Sequence, residues 1–492
     1  MPTLFIPTPL RKYTGGERTI TTQSSTVGRA LDELAQQYPD VKPHLYDEEG
    51  RLRSFIKLYV EEEEVKADEV ASKTVSDSAQ ISIVPAIAGG SQGTNGSPAT
   101  NRDDGFDPKE LARYSRHISI PEFGLEGQKK LKQSRVLAIG SGGLGSPLLQ
   151  YLAAAGVGTI GLVEFDTVED SNLQRQVLFG TSDIGKSKAE QAKKRLLDLN
   201  PHIKVELHKV RLTSENAREI IREYDVVADG TDNFPTRYLV NDASVLEGKP
   251  NVYGSIFQFE GQVSVFNYTD PETGETGPNY RDLFPDPPPP GLVPSCAEAG
   301  VLGVLPGIIG SLQANEVIKV LTGIGTPLAG QLFLFDALSF TTRKLKVSKN
   351  PDNPLTGDQP TQTQLIDYEE FCGIPSGESE TERQESDVPE ITVQDLKAWE
   401  EKGHNFKLID VREPHEYEIA NLNGELIPLD TVSDAADQIP KDKDVVVHCR
   451  SGARSATAIR ELKEKYGYDN LYNLKGGILA WAKEIDSSIP EY

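Results

Sequence analysis

Cysteine, methionine and tryptophan are scarce in this 492-residue chain, which has three, one and two of them. Three cysteines, Cys296, Cys372 and Cys449, are too few and too scattered for a disulfide framework. That suits a reducing cytosol and leaves any chemistry at sulfur catalytic rather than structural. Basic residues are also short, 51 against 75 acids, and the net charge of -24 argues against nucleic acid or an anionic membrane as partner. No run of about 18 apolar residues is read in the chain, and the N-terminal segment has no signal-peptide stretch. The chain is therefore read as cytoplasmic.

Two stretches rich in Gly, Ser, Pro, Asn or charge, 91–107 and 373–389, break the pattern of apolar segments and read as solvated linkers. They divide the chain into units at 1–90, 107–372 and 389–492. In the first, extended segments at 3–9 and 18–22, a helix at 27–38 with Leu31, Leu34 and Ala35 on one face, and strands at 55–60 and 81–84 predict a β-grasp. It ends in Ala88-Gly89-Gly90, where the dipeptide alone reads equally as the start of a linker.

The second unit alternates strand and helix: strands at 135–139, 159–164, 204–210 and 225–228, with helices at 145–155, 188–199 and 214–224. This predicts a mainly parallel, doubly wound, Rossmann-like sheet. The third, with strands at 407–409 and 444–448 and a helix at 455–466, is also α/β.

After its first strand the second unit reads Gly140-Ser141-Gly142-Gly143-Leu144-Gly145, a turn whose amides and following helix suit phosphate. Asp166 comes at the end of the next strand, where it can bond a ribose hydroxyl. On these features alone an NAD-dependent dehydrogenase leads. The residues beyond Asp166 reverse that order: Ser171-Asn172-Leu173-Gln174-Arg175-Gln176 and Lys188 supply amides and cations where a triphosphate would extend, and Asp232-Asn233 comes after a third strand as a magnesium ligand. Attack by a carboxylate on an α-phosphate needs the departing pyrophosphate neutralised, and hydride transfer does not. Singly, Arg175 and Lys188 read as surface charges; their joint spacing gives them meaning.

The run from Arg113-Tyr114-Ser115-Arg116-His117 through SNLQRQ, TDN and CAEAGVLG resembles the ThiF/MoeB branch of ubiquitin-activating enzymes. The resemblance implies ATP phosphates on Gly140, Gly142, Gly143 and Gly145, and the ribose on Asp166. It implies the triphosphate on Ser171, Asn172, Arg175 and Lys188, magnesium on Asp232, and Asn233 close by. It also implies a homodimer, with Arg116 donated across the interface. Cys296 coincides with the family's reactive cysteine; a covalent role and an inert buried thiol both stay open. Many members carry two C-x-x-C pairs for zinc. Here the first pair's positions hold Asn279 and Asp282, no second pair is present, and zinc is not expected.

In the third unit the strand at 444–448 runs into Cys449-Arg450-Ser451-Gly452-Ala453-Arg454 and then a helix. Successive amides at a helix start, flanked by arginines, favour an anionic sulfur. With Asp410-Val411-Arg412-Glu413 and Gly476-Gly477-Ile478-Leu479-Ala480-Trp481, this resembles the rhodanese family. A phosphatase of related fold places its arginine one residue later. Cys372 is taken as structural and His448 as a strand residue.

The first unit, through Ile6-Pro7-Thr8, Tyr13-Thr14-Gly15-Gly16, Lys57-Leu58-Tyr59-Val60 and the segment 84–90, resembles the ThiS/MoaD sulfur carriers, closest to those serving cysteine biosynthesis. The resemblance implies a carrier tail at Gly89-Gly90. The expectation is therefore adenylation of a carrier's C-terminal glycine and then sulfur transfer from a Cys449 persulfide. The carrier is the chain's own first unit, once cleaved after Gly90, or a free one, and a persulfide donor loads Cys449. The product serves cysteine, molybdenum cofactor or related biosynthesis. An NAD oxidoreductase and a non-catalytic scaffold are the alternatives.

Overall fold

Alternate residues of the N-terminal strands turn inward: Leu4, Ile56, Leu58, Ile81 and Ile83 are all buried. Each such side chain contributes roughly 1.5–3 kcal/mol on burial. The computed structural model describes residues 1–86, 105–289, 300–373 and 388–490, and the chain divides into two units, Met1–Arg102 and Asp103–Tyr492. The first unit holds β1 (Thr3–Phe5), β2 (Thr19–Thr21), β3 (Ile56–Val60), β4 (Glu63–Val65) and β5 (Gln80–Pro85) in the order β2-β1-β5-β3-β4. β1 and β5 are parallel, and the other pairings are antiparallel. The helix Val27–Gln37, capped by Thr26, buries Val27, Ala30, Leu31 and Leu34 in the same core. This is the β-grasp expected. The extended reading of 3–9 fails at its end, because Pro7-Thr8-Pro9 starts a helical turn, Thr8–Arg11, with proline in its first positions.

In the second unit the larger sheet has eight strands: β6 (Arg135–Ile139), β7 (Thr159–Val163), β8 (Lys204–His208), β9 (Val226–Asp229), β10 (Asn251–Phe257), β11 (Glu260–Phe266), β12 (Gln331–Asp336) and β13 (Thr341–Lys346). Their order is β13-β12-β11-β10-β9-β6-β7-β8. Strands β6 to β10 are mutually parallel, and β11 to β13 continue the sheet antiparallel. From β6 the chain winds outward through β7 and β8, then returns to the other side at β9. The loops after β6, β7 and β9 therefore meet at the switch point, where such sheets bind ligands. Among the described residues one helix, Val304–Thr322, is long and apolar enough to cross a membrane. Glu316 and Lys319 interrupt it, which is why a search for unbroken apolar runs passes it over. Here it buries Leu305, Ile309, Ala314 and Val317 against β10, β11 and the helix Gly145–Ala155.

The second sheet of this unit comprises β14 (Glu390–Ile391), β15 (Phe406–Asp410), β16 (Glu425–Leu426), β17 (Asp444–His448) and β18 (Leu471–Leu474), all parallel, in the order β14-β18-β17-β15-β16. The run of valines in β17 is buried on both faces. Val445 and Val447 join one core with Ala458, Ile459 and Leu462, and Val446 joins another with Leu396, Leu474 and Trp481.

Candidate active sites

Strand β6 ends on a chain reversal that only glycine satisfies. Gly140 has φ +86°, and a Cβ on Gly145 would lie 2.2 Å from the Gly140 carbonyl oxygen. The helix Gly145–Ala155 then starts on Leu144, which has no side-chain cap to offer its first amides. Opposite this turn is a cavity of about 210 Å³, whose lining includes Gly140, Gly142, Asp166, Lys188, Asp232 and Asn233. Six residues from separate parts of the chain thus share one space. Lys188 Nζ stands 3.5 Å from Asp166 Oδ2, with the lysine nearly buried and the aspartate half exposed.

Other expected residues are not among those that line the cavity. A Cβ on Gly143 would meet Pro306 at 3.1 Å and Arg175 Cγ at 3.6 Å, so Arg175 lies against the glycine turn, its guanidinium donating to the Ser171 carbonyl at 3.0 Å. Asn172 is buried, and its Oδ1 accepts from the Glu169 amide at 3.4 Å. Arg116 is exposed in the last turn of the helix Pro108–Ile118, which is anchored by buried Tyr114, whose hydroxyl accepts from Asn200 Nδ2 at 2.8 Å.

Two carboxylates that carry no sequence motif hold the loops. Buried Glu164 accepts from the Ser141 amide and hydroxyl at 2.9 and 2.7 Å, and from the Phe165 and Asp166 amides at 2.9 Å each. It ties the glycine turn to the loop that carries Asp166. Asp229 accepts from the Thr231 amide and hydroxyl at 2.9 and 2.6 Å, while buried Arg237 donates to the Thr231 carbonyl at 2.9 Å. Burial pushes the Asp229 carboxyl above the ordinary range. Thr231 is held on both sides, and Asp232 comes next, exposed to the cavity. The available signal for Glu164 is an acid at the end of a buried strand, two residues before Asp166.

The sulfur loop is contiguous. Cys449 directly follows β17 with 1% of its surface exposed, and its Sγ accepts from the Gly452 amide at 3.1 Å. Gly477, at φ +59°, packs where a Cβ would lie 2.5 Å from the Cys449 and Arg450 carbonyl oxygens, and the Ile478 amide donates to the former at 3.0 Å. The cysteine loop and the Gly476–Trp481 segment of the rhodanese resemblance therefore form one structure. Arg454 is bound to Glu416 through both terminal nitrogens at 2.6 and 2.7 Å, so it braces the loop against the helix Pro414–Ile419. Arg412, fully buried, is paired with Asp410. His448 is buried too, and desolvation lowers its imidazole to about 4. Ser451 is exposed, and Gly452 at φ +101° precedes Ala453, the first helical residue.

At Asn279 and Asp282, where many family members carry the first C-x-x-C pair, the available ligand atoms are oxygens that already accept hydrogen bonds. Asp282 takes the Asn279 and Asn350 amides and Asn353 Nδ2 at 2.7 to 2.9 Å, and Asn279 Oδ1 takes the Arg281 amide at 3.0 Å. Asn279 Nδ2 donates to Thr356 Oγ1 at 2.9 Å. Tetrahedral zinc draws on thiolates and imidazoles, and this cluster has neither. Gly89, Gly90 and Cys296 lie outside the described residues.

The chain matches the ThiS family over residues 4–90, the ThiF family over 114–355 and the rhodanese-like domain over 392–484. It is 48% identical over 387 residues to a probable adenylyltransferase/sulfurtransferase, MoeZ, of Mycobacterium tuberculosis, covering 78% of this chain and 96% of that one. It is 61% identical over 266 residues to a sulfur carrier protein adenylyltransferase of Thermus thermophilus, covering 54% and 98%. To the adenylyltransferase and sulfurtransferase MOCS3 of Drosophila grimshawi it is 43% identical over 409 residues, covering 81% and 90%. With a glycine turn, an aspartate and a lysine around one cavity and a cysteine loop at a helix start, this chain belongs to the ThiF-type adenylyltransferase/sulfurtransferase family, whose members use ATP.

Proposed function

We propose that the chain adenylates the C-terminal glycine of a ubiquitin-like sulfur carrier and converts it to a thiocarboxylate, with units at 1–90, 107–372 and 389–492 acting as carrier, adenylyltransferase and persulfide donor. The observation that carries this reading is the cavity shared by Gly140, Gly142, Asp166, Lys188, Asp232 and Asn233. The carrier carboxylate attacks the α-phosphate and pyrophosphate leaves. Asp166 binds the ribose; Ser171, Asn172, Arg175 and Lys188 take the charge of the departing group, with Arg116 from a second subunit completing the site. An exposed carboxylate at the cavity edge fits Mg²⁺, a hard ion taking oxygen ligands; Asp232 would hold the ion, which would supply positive charge to the departing pyrophosphate. A structural zinc is not part of this reading.

Cys449 then brings sulfur. The outer sulfur of its persulfide bonds to the acyl carbon as AMP leaves, and a thiol cleaves the remaining S–S bond to free the thiocarboxylate; Cys296 is one candidate for that thiol. In this chain Gly90 is bonded to Ser91 and has no free carboxylate, so the first unit becomes a substrate only after cleavage there. A free carrier is the alternative partner, and the thiocarboxylate supplies cysteine, molybdenum cofactor or related synthesis. A reducing cytoplasm suits a thiol-dependent enzyme of this kind. Carrier-dependent exchange of pyrophosphate into ATP tests the first half, since neither a dehydrogenase nor a scaffold shows it. Intact mass of the carrier after incubation with ATP and thiosulfate tests the second, and a carrier that gains neither AMP nor sulfur overturns the reading.

A further inference from the structure

Gly452 and Ser455, both among the described residues, donate toward Cys449 Sγ, the second through its side chain. Besides the Gly452 amide, the hydroxyl of Ser455 lies 3.4 Å away, fully buried in the first turn of the helix Ala453–Tyr466. That hydroxyl has one proton and three acceptors around it: Asn473 Oδ1 at 2.6 Å, the Gly452 carbonyl at 3.1 Å and the sulfur. Beside a neutral thiol, a weak acceptor, the short bond to Asn473 holds the proton. A thiolate is a charge-assisted acceptor and competes for it. Asn473 can permit that exchange. Half a turn of its amide puts Nδ2, a donor, where Oδ1 was, so that Ser455 accepts from Asn473 and donates to sulfur. One neighbour on the Nδ2 side is Gly452, where a Cβ would lie 3.5 Å from that nitrogen, so this position puts no side chain against the rotating amide. The Asn473 backbone is fixed in β18 opposite Val447, with its amide donating to the Pro389 carbonyl at 2.8 Å.

We propose that Ser455 is a catalytic hydrogen-bond donor to the sulfur of Cys449, and that Asn473 is the positioning residue that releases the Ser455 proton to that sulfur when it becomes anionic. The moment of need is sulfur transfer itself. An acceptor such as cyanide attacks the outer sulfur, a C–S bond forms, and the S–S bond breaks with its electron pair left on Cys449 Sγ. That charge arises in a buried place, and the charged groups around the loop are largely engaged: Arg454 with Glu416, Arg412 with Asp410, and His448 uncharged near neutrality. Substitutions at Ser455 and Asn473 alter none of these groups, nor Arg450.

The inference rests on Cys449 as the sulfur carrier of the proposed function. The test uses the full chain, following iodoacetamide labelling of the Cys449 peptide by mass spectrometry and thiocyanate formation from thiosulfate and cyanide. In Ser455→Ala, labelling at pH 7 and kcat both fall about tenfold, as expected for loss of one charge-assisted bond, with KM for thiosulfate unchanged. Ser455→Thr restores both. Asn473→Asp places a group that only accepts and is also charged, so it keeps the hydroxyl proton and repels a thiolate; its loss exceeds that of Ser455→Ala, and the part due to the proton disappears in the Ser455→Ala background. Tryptophan fluorescence melting of each variant fixes an assay temperature below its transition. Wild-type labelling and kcat in Ser455→Ala overturn the proposal, and so does a full additional loss from Asn473→Asp in that background. If Cys449→Ala still forms thiocyanate, the underlying reading fails instead; if it is inactive while Ser455→Ala is unaffected, only the role of Ser455 and Asn473 falls.

Discussion

On the proposed function, the nucleotide cavity and the sulfur loop solve opposite problems. The cavity draws on the ends of β6, β7 and β9, from Gly140 to Asp232, and its loops are fastened by buried carboxylates, Glu164 and Asp229. Its ligand-facing acids, Asp166 and Asp232, are exposed. The sulfur loop is one short segment braced by Arg454–Glu416 and by the turn at Gly477, and its reactive atom is almost entirely covered. A site that admits and releases a large anion keeps its charges open and its scaffold tied from behind. A site that generates a charge on sulfur keeps water away and supplies donors from within.

The sharpest way to break this comparison is to disable each side alone. Cys449→Ala should abolish sulfur transfer from thiosulfate to cyanide and leave pyrophosphate exchange intact, whereas Asp232→Ala should lower exchange by about 100-fold and spare sulfur transfer. Parallel loss in either variant would show that the two sites are not separate. A smaller effect is expected from Glu164→Gln, which presents an NH₂ to donors now satisfied by a carboxylate. The mismatch costs about 1–3 kcal/mol, and steady-state kinetics should show KM for ATP raised about tenfold with sulfur transfer unchanged.

Acid should separate the regions further. His448 is held at about 4 against an ordinary 6.5, so an unfolded chain takes up this proton at a higher pH than the folded one. Its contribution is fully present above pH 6.5 and is lost as pH falls towards 4, a change of about 3 kcal/mol. Both tryptophans of the chain, Trp399 and Trp481, pack around the second sheet, so fluorescence-detected denaturation reads that region. The urea midpoint should fall between pH 7 and 4.5, and His448→Phe should flatten the dependence; an unchanged slope would place the acid sensitivity elsewhere. The smallest expected effect is that of a zinc chelator, which should leave the melting curve where it is, while Asp282→Ala should lower stability by about 1–3 kcal/mol through the donors it orphans. A chelator-induced shift would reveal a metal.

Much of this was legible in the sequence where one physical signal acts alone. The strands Arg135–Ile139 and Asp444–His448 and the helices Gly145–Ala155 and Lys188–Leu199 fall on the predicted bounds, because apolar runs end there at glycine or cap residues. The helix Pro108–Ile118 was missed although its Asp107-Pro108-Lys109-Glu110 start is a capping box with proline at the first position, since it falls where the polar linker ends. β4, Glu63–Val65, was missed because a three-residue, largely charged edge strand has no periodicity to read. In the site, glycines and charges announce themselves. Glu164, Asp229 and Ser455 act through hydrogen bonds to loops distant in sequence or to a neighbouring strand, and spacing says nothing of those. Arg454 was legible as a charge near sulfur, but its commitment to Glu416 is a fact of tertiary structure.

The cluster of Asn279, Asp282, Asn353 and Thr356 has a consequence for how this protein is made. Its bonds join two segments some 70 residues apart using amide, carboxylate and hydroxyl groups that are present, and in the correct protonation state, as soon as the chain leaves the ribosome. Those bonds draw on no thiol, so peroxide stress leaves intact the groups that form the joint.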